Sequence, residues 1–355
     1  MAFAPRPGVS PEIVVRIAGV GVELPADVLT TAEAEERADL VGHLGLPPGW
    51  LERTTGVRQR RRAAPGVRPS ELAAAAARKA LERAHVDARS VDTLLFAGIT
   101  RDVPAPSTAQ IVAAAVGAVE ARAFDVANAT NGLIDAIDVG DSLIRSGKAE
   151  RVLVATGERA AHEAGCPRPE TMEELRESLP ALVLGDGGGA VVLVPSDDPR
   201  RGLRAREFRG APASPPGRTQ HRPPPEGTCG ACGGPLYPHS RSATDDGFAS
   251  ALALLGPAMR AVMQRTGWRY DDLDVVFCHQ PTKRIVEQAT ALLADAGGAA
   301  DRVWGIAERF GNTTTTSLPL AMAEAEAAGT LVPGARVLLL APSARGSVAA
   351  VTLVW

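Results

Sequence analysis

Cysteine is scarce, with four residues in a chain of 355, too few for a disulfide framework at this length. Cys166 and Cys278 are therefore expected as free thiols. No stretch reaches the roughly 18 unbroken apolar residues that a membrane-spanning helix needs. The opening residues, Met1-Ala-Phe-Ala-Pro-Arg6, lack the apolar centre of a secretion signal. The expectation is a cytoplasmic protein with no membrane partner. Charge of one sign is also lacking. A net charge of −3 excludes a general polyanion-binding surface and, with it, a nucleic-acid partner. The one basic run, Arg58-Gln-Arg-Arg-Arg62, reads either as a solvated face or as a local contact for phosphate groups.

What is present is ordinary for a globular protein: 45% hydrophobic and 22% charged residues. The length exceeds one compact core, so two domains or two fused halves are expected. Strand-like apolar runs alternate with alanine-rich helical segments, the pattern of an α/β protein. Ile13–Val20 reads as an opening strand, Ser70 as the cap of a helix over 71–83, and Val91–Ala97 as a buried strand. A helix follows from about Thr108 to Val116. The second half repeats this order, with a helix over 250–265, a strand at Leu273–Cys278 and a helix from Lys283.

Aligning Val91 with Leu273 gives an offset of 182 (273 − 91). Aligning Arg151 with Arg336 gives 185 (336 − 151). Two independent pairs with nearly equal offsets indicate an internal duplication. The halves are placed at 1–200 and 201–355, with a Pro/Gly-rich surface insertion at about 209–241. At the later offset, Asn128–Gly132 falls on Thr313–Ser317. Both segments are then loop-to-helix junctions facing one another, and helix amino ends carry partial positive charge suited to an oxyanion.

Three segments carry chemistry: Phe124-Asp-Val-Ala-Asn-Ala-Thr130-Asn-Gly-Leu133, Phe277-Cys-His279-Gln-Pro-Thr282 and Gly311-Asn312-Thr-Thr-Thr-Thr316. A histidine at a strand end is either a satisfied core residue or a general base and oxyanion donor. Asn312 reads as a helix cap that also presents an amide donor. Cys278 neighbours His279, but adjacent strand residues point to opposite faces, which puts its thiol in the core. Cys229 and Cys232 form one CxxC knuckle that His221 and His239 would complete as a structural zinc site. A single knuckle is not enough to assign a metal, and no catalytic metal is expected.

Taken together, these segments resemble the ketoacyl synthase III branch of the thiolase superfamily. The resemblance extends through Trp50-Leu-Glu-Arg-Thr-Thr-Gly56-Val-Arg-Gln-Arg60, Pro106-Ser-Thr-Ala109 and Leu184-Gly-Asp186-Gly-Gly-Gly189. It spans about residues 13 to 354 in the family's order. It implies a duplicated five-layered αβαβα fold, a homodimer, and acyl thioesters of coenzyme A or acyl carrier protein as substrates with no further cofactor. The family's Cys-His-Asn triad falls on Thr130, His279 and Asn312, so a threonine stands where the nucleophilic cysteine is expected. Trp50 and Arg53 fall near the family's coenzyme A contacts. An arginine expected four residues after the tryptophan is Thr54 here, and the carboxy-terminal oxyanion turn reads Ala341-Pro-Ser-Ala-Arg345-Gly-Ser347.

A thiol with a reference pKa near 8.5 ionises readily beside a helix end or histidine, whereas an aliphatic hydroxyl needs a base within reach. The β-methyl of Thr130 further crowds attack. The departures at Thr54 and in the 341–347 turn disfavour fatty-acid initiation. The expected function is a ketosynthase III-like acyltransferase of specialised, polyketide-type metabolism, passing an acyl group to a small acceptor nucleophile. A malonyl-thioester decarboxylase, or a non-catalytic partner of an active ketosynthase, are the alternatives.

Overall fold

The computed structural model describes residues 13–165, 167–210, 244–343 and 346–355. The zinc reading at Cys229 and Cys232, most of the 209–241 insertion, and Ala344 and Arg345 of the carboxy-terminal turn lie outside the described residues. Among the described residues eleven strands occur in chain order: β1 (Val15–Glu23), β2 (Asp27–Thr30), β3 (Gln59–Arg62), β4 (Thr93–Phe96), β5 (Arg122–Asp125), β6 (Val152–Glu158), β7 (Gly187–Pro195), β8 (Gly202–Gly210), β9 (Val275–Cys278), β10 (Arg336–Ser343) and β11 (Ser347–Val354).

Two larger sheets result, in the orders β1-β7-β6-β4-β5 and β8-β11-β10-β9. Their pairings match strand for strand. β6 is parallel to β4 and antiparallel to β7, as β10 is parallel to β9 and antiparallel to β11. The counterpart of β5 in the second sheet is reduced to a single bridge between Val276 and Val303. Backbone geometry repeats as well. Ala129 and Thr314, 185 residues apart (314 − 129), both hold a left-handed conformation, with φ of 46° and 50°. Left-handed backbone is uncommon outside glycine, so its recurrence at that spacing marks equivalent junctions.

The layers follow from which faces are apolar. The helices Gly132–Arg145 and Ser317–Ala327 lie between the two sheets in the largest core cluster. Outside the first sheet lie Pro69–Ala84 and Thr108–Val116, and outside the second lie Thr244–Thr266 and Lys283–Asp295. The Pro69–Ala84 helix is rich in alanine because it sits almost on the sheet. A Cβ at Gly21 would lie 2.1 Å from the Ala76 carbonyl oxygen, and one at Gly188 would lie 2.1 Å from that of Leu72.

Some local expectations shift. β1 begins later than Ile13 and runs on to Glu23, because Val22 and Glu23 pair with Gly189 and Gly188 of β7. Ser70 is not a cap. The helix starts at Pro69, favoured at a first helical position, and the Ser70 hydroxyl donates to Asp102 at 2.5 Å. The helix expected over 250–265 begins at Thr244. No helix among the described residues is long and apolar enough to cross a membrane.

Candidate active site

His279 follows the last residue of β9, and its backbone N–H donates to Leu340 of β10 at 2.8 Å. The turn after it is held by Gln280, which is fully buried. The Gln280 amide donates to the Cys278 and Trp304 carbonyls and accepts from the Ile306 and Ala307 N–H groups. Cys278 packs in the opposite core, where burial pushes its thiol up to about 12 and leaves it unreactive.

His279 is 2% exposed. Its Nδ1 lies 2.9 Å from the Ser317 hydroxyl, and that hydroxyl donates to the Thr314 carbonyl at 2.9 Å. Desolvation lowers the imidazole pKa to about 4, although the Thr314 carbonyl facing it acts in the opposite direction. At neutral pH His279 is uncharged.

Asn312 reaches the same place from another element. Its backbone pairs with the Val183–Gly185 segment, donating to Val183 at 2.8 Å and accepting from Gly185 at 2.9 Å. Glycine is needed on both sides of this approach. A Cβ at Gly185 would sit 2.4 Å from the Phe310 carbonyl oxygen, and Gly311 has φ of 63° with its Cβ position 2.4 Å from the Val183 carbonyl oxygen. The Asn312 side-chain oxygen accepts from the Thr314 N–H at 3.0 Å. It does not cap a helix; the cap of Ser317–Ala327 is Thr316. Its Nδ2 group has no hydrogen-bond partner among the described residues. Thr314 thus bridges the pair, its N–H holding the amide and its carbonyl facing the imidazole.

Thr130 is not hydrogen-bonded to that pair. It is half-buried just before the Gly132–Arg145 helix, and its hydroxyl donates to the Pro342 carbonyl at 3.4 Å. Pro342 lies two residues beyond Leu340 on β10, so this carbonyl is about 7 Å along the strand from the one that receives the His279 N–H. Thr130 makes no hydrogen bond to His279 or Asn312. The next residue, Asn131, is buried and donates to the Ser347 hydroxyl at 3.0 Å.

A further buried acid ties these parts together. The Glu158 carboxylate accepts from the Ile99 and Thr100 N–H groups, from the Thr100 hydroxyl, and from the Thr315 hydroxyl next to Thr314. Burial raises its pKa against those donors. Asp186, in the Gly-Asp-Gly run, accepts from the Ala63 and Ala161 N–H groups at 2.8 Å each, and burial raises its pKa to about 6.

A groove of about 450 Å³ opens at the start of the helix that follows His279. Arg53, Thr54, Lys283 and Arg284 line it, together with Glu52, Arg58, Glu287 and Glu308. Arg58 is paired with Glu308 at 2.6 Å, while Arg53, Lys283 and Arg284 make no ion pair among the described residues. Trp50 does not line the groove; it packs half-buried against the cluster containing Leu40 and Leu51. Among the described residues no group of three or more His, Cys, Asp or Glu is placed to hold a metal ion.

The same architecture and residue order recur in known proteins. Residues 124–209 match the family model for 3-oxoacyl-[acyl-carrier-protein] synthase III, and residues 263–355 match the model for its C-terminal part. A β-ketoacyl-[acyl-carrier-protein] synthase III of Streptomyces coelicolor is 34% identical over 352 residues, 96% of each chain. The chain belongs to the 3-oxoacyl-[acyl-carrier-protein] synthase III family. A synthase III of Roseiflexus castenholzii is 33% identical, covering 87% of this chain and 88% of its own. Among solved structures, the synthase III of Pseudomonas aeruginosa is similar with a TM-score of 0.78 at 28% identity, covering 96% of this chain and 98% of its own. OleA of Xanthomonas campestris has a TM-score of 0.81 at 27% identity, with the same coverage. The fold is the thiolase fold, and this synthase III-family chain is an acyl-transferring enzyme. Ser317, Thr314, Gln280 and Glu158 went unread in the sequence. A serine five residues beyond Asn312 carries no motif signal of its own, and only the turn at Thr314 brings it to His279.

Proposed function

We propose that this protein transfers an acyl group directly from a coenzyme A or carrier-protein thioester to the hydroxyl or amine of a small acceptor, in specialised rather than housekeeping acyl metabolism. The observation that carries this reading is the division of the site. A neutral buried imidazole and an amide N–H₂ that has no partner among the described residues are held together by Thr314, whereas the Thr130 hydroxyl donates to Pro342 and has no base as hydrogen-bond partner among the described residues. A hydroxyl nucleophile requires such a base; an acceptor bound at His279 would have one.

In the proposed step, the acceptor O–H or N–H proton passes to His279 as the acceptor's lone pair bonds to the thioester carbonyl carbon. The carbonyl π pair moves onto oxygen, where the Asn312 Nδ2 donors stabilise it. Collapse breaks the C–S bond, and the imidazolium proton leaves with the thiolate as free thiol. An imidazole of pKa about 4 is a weak base at rest, but the oxyanion formed beside it favours the imidazolium. Arg53, Lys283, Arg284 and the amino end of the Lys283–Asp295 helix suit the phosphates of the donor's arm. With Thr54 where the family's arginine is expected, a carrier protein is the favoured donor. A homodimer is part of the same reading.

Thiol release from a panel of acyl-coenzyme A thioesters, with short alcohols and amines as acceptors, tests this proposal. Acceptor-dependent release that His279→Gln lowers by about 10²-fold or more supports it. Carbon dioxide released from malonyl-coenzyme A without acylated acceptor would replace it with a decarboxylase. Release that His279→Gln leaves intact would remove the assigned base.

A further inference from the structure

We infer that a small cavity beside the segment that holds Asn312 binds a short-chain carboxylate, with the buried Arg60 guanidinium as its counter-charge. The inference goes beyond the proposed acyl transfer and does not depend on it.

The cavity has a volume of about 40 Å³ and is lined by Arg37, Arg60 and Arg62, with Leu29, Leu182 and Leu184 among its apolar walls. No Asp or Glu lines it among the described residues. Arg60 belongs to β3 and is 1% exposed. Its Nη1 donates to the Thr30 carbonyl at 3.2 Å and to the Thr31 hydroxyl at 3.4 Å, and its Nη2 donates to the Leu182 carbonyl. A guanidinium has five N–H groups. Three acceptors meet them here, all neutral, and Nε takes part in none of these bonds. The charged groups that act on Arg60 are Arg62 and Arg37, both of its own sign, and with burial they lower its pKa to about 10. Arg37 also acts on Glu33 and Arg62 on Asp186, whereas no acid among the described residues acts on Arg60. A buried charge without a counter-charge is costly, and an anion in the cavity removes that cost.

Size and shape select the anion. One water needs about 10–15 Å³ of such space, so the cavity suits an ion as small as formate or acetate. A guanidinium matches a planar carboxylate through two parallel N–H···O bonds, and the leucine walls suit the methyl of acetate. An approach is present as well. Leu29, Arg37 and Arg62 also line an outer groove of about 320 Å³, whose one acid among the described residues is Asp27.

The occupant would bear on the active site through the backbone. The Leu182 carbonyl that receives Arg60 precedes Val183, which accepts from the Asn312 N–H, and Leu184 forms a bridge with Asn312. The Arg60 Cβ lies 3.3 Å from where a Cβ at Gly185 or at Gly311 would be. A carboxylate held by Arg60 therefore braces the segment that presents the Asn312 amide.

The test is equilibrium dialysis of the full chain against ¹⁴C-acetate at pH 7, with sodium gluconate keeping the ionic strength constant. The expected result is one saturable site per chain. Melting temperature should rise by about 2 °C or more once acetate is about a hundredfold above its Kd. Gluconate, a carboxylate too bulky for the cavity, should give no such rise. Arg60→Met should abolish saturable binding, and Arg37→Gln should weaken it by about tenfold. Lys283→Gln, in the separate groove after His279, should leave it unchanged. No saturable acetate binding overturns the inference, as does an equal rise with gluconate or binding that survives Arg60→Met. If Arg60→Met does not fold, Arg37→Gln decides, and an unchanged Kd there overturns the inference. Binding lost in Lys283→Gln but kept in the arginine variants would place acetate in the other groove and overturn it too.

Discussion

At the scale of single residues, the hydroxyl at position 130, where the resemblance leads one to expect a thiol, decides the route of the proposed reaction. Thr130 stands before a 14-residue helix, a setting that depresses a thiol pKa but does little for an alcohol. Thr130→Cys should therefore acquire an acyl adduct from an acyl-coenzyme A, visible as a mass gain, and Thr130→Ala should keep acceptor-dependent transfer within a few-fold of the starting protein. His279 sets the pH behaviour. Its folded-state pKa of about 4 lies below the ordinary value of 6.5, so the unfolded chain binds the extra proton first as pH falls. Stability contributed by the neutral ring is complete above about pH 6.5 and is lost progressively down to about pH 4, to the extent of about 3 kcal/mol. The difference in unfolding free energy between the protein and its His279→Phe variant should rise with pH across that window and be flat above it. Acyl transfer should likewise show an acid limb near pH 4 rather than near 6.5.

At the scale of elements, the segment Thr313–Ser317 does most of the organising. It supplies the amide contact to Asn312, the hydroxyl and carbonyl at His279, and the Thr315 hydroxyl bound by Glu158. The Ile99 and Thr100 N–H groups and the Thr100 and Thr315 hydroxyls all act as donors to Glu158. An amide in place of the carboxylate would turn one N–H₂ toward them, so Glu158→Gln should lower stability by about 1–3 kcal/mol, read from denaturant midpoints. Close packing makes a second demand. Gly21→Ala would drive a methyl into the Ala76 carbonyl, and a loss of about 1–3 kcal/mol with displacement of the Pro69–Ala84 helix is expected.

Much of this was readable in the chain. Strand and helix order, the two offsets and the buried fate of Cys278 follow from periodicity and from alternation along a strand. The positions of His279 and Asn312 at loop ends were equally plain. What could not be read was how they meet. That depends on the left-handed turn at Thr314, and threonine carries no propensity for that conformation. The Ser70 cap failed for a related reason: Pro69 could start the helix, and a long-range contact with Asp102 occupied the hydroxyl.

At the scale of the whole molecule, two similar halves carry equivalent loop-to-helix junctions, with the same backbone conformation at Ala129 and Thr314, and the Gly132–Arg145 helix touches the Thr314–Thr316 turn. One junction carries the Thr130 hydroxyl, and the other carries the Asn312 amide beside the His279 imidazole that follows β9. On the proposed reading, the chain would handle a thioester at His279 and Asn312 without a thiol that stores the acyl group. The most direct measurement is the intact mass of the unsubstituted protein quenched during turnover with an acyl-coenzyme A and excess acceptor. The account predicts unmodified protein beside acylated acceptor and free coenzyme A. An acyl adduct on Thr130 that forms and decays at the rate of turnover would contradict it.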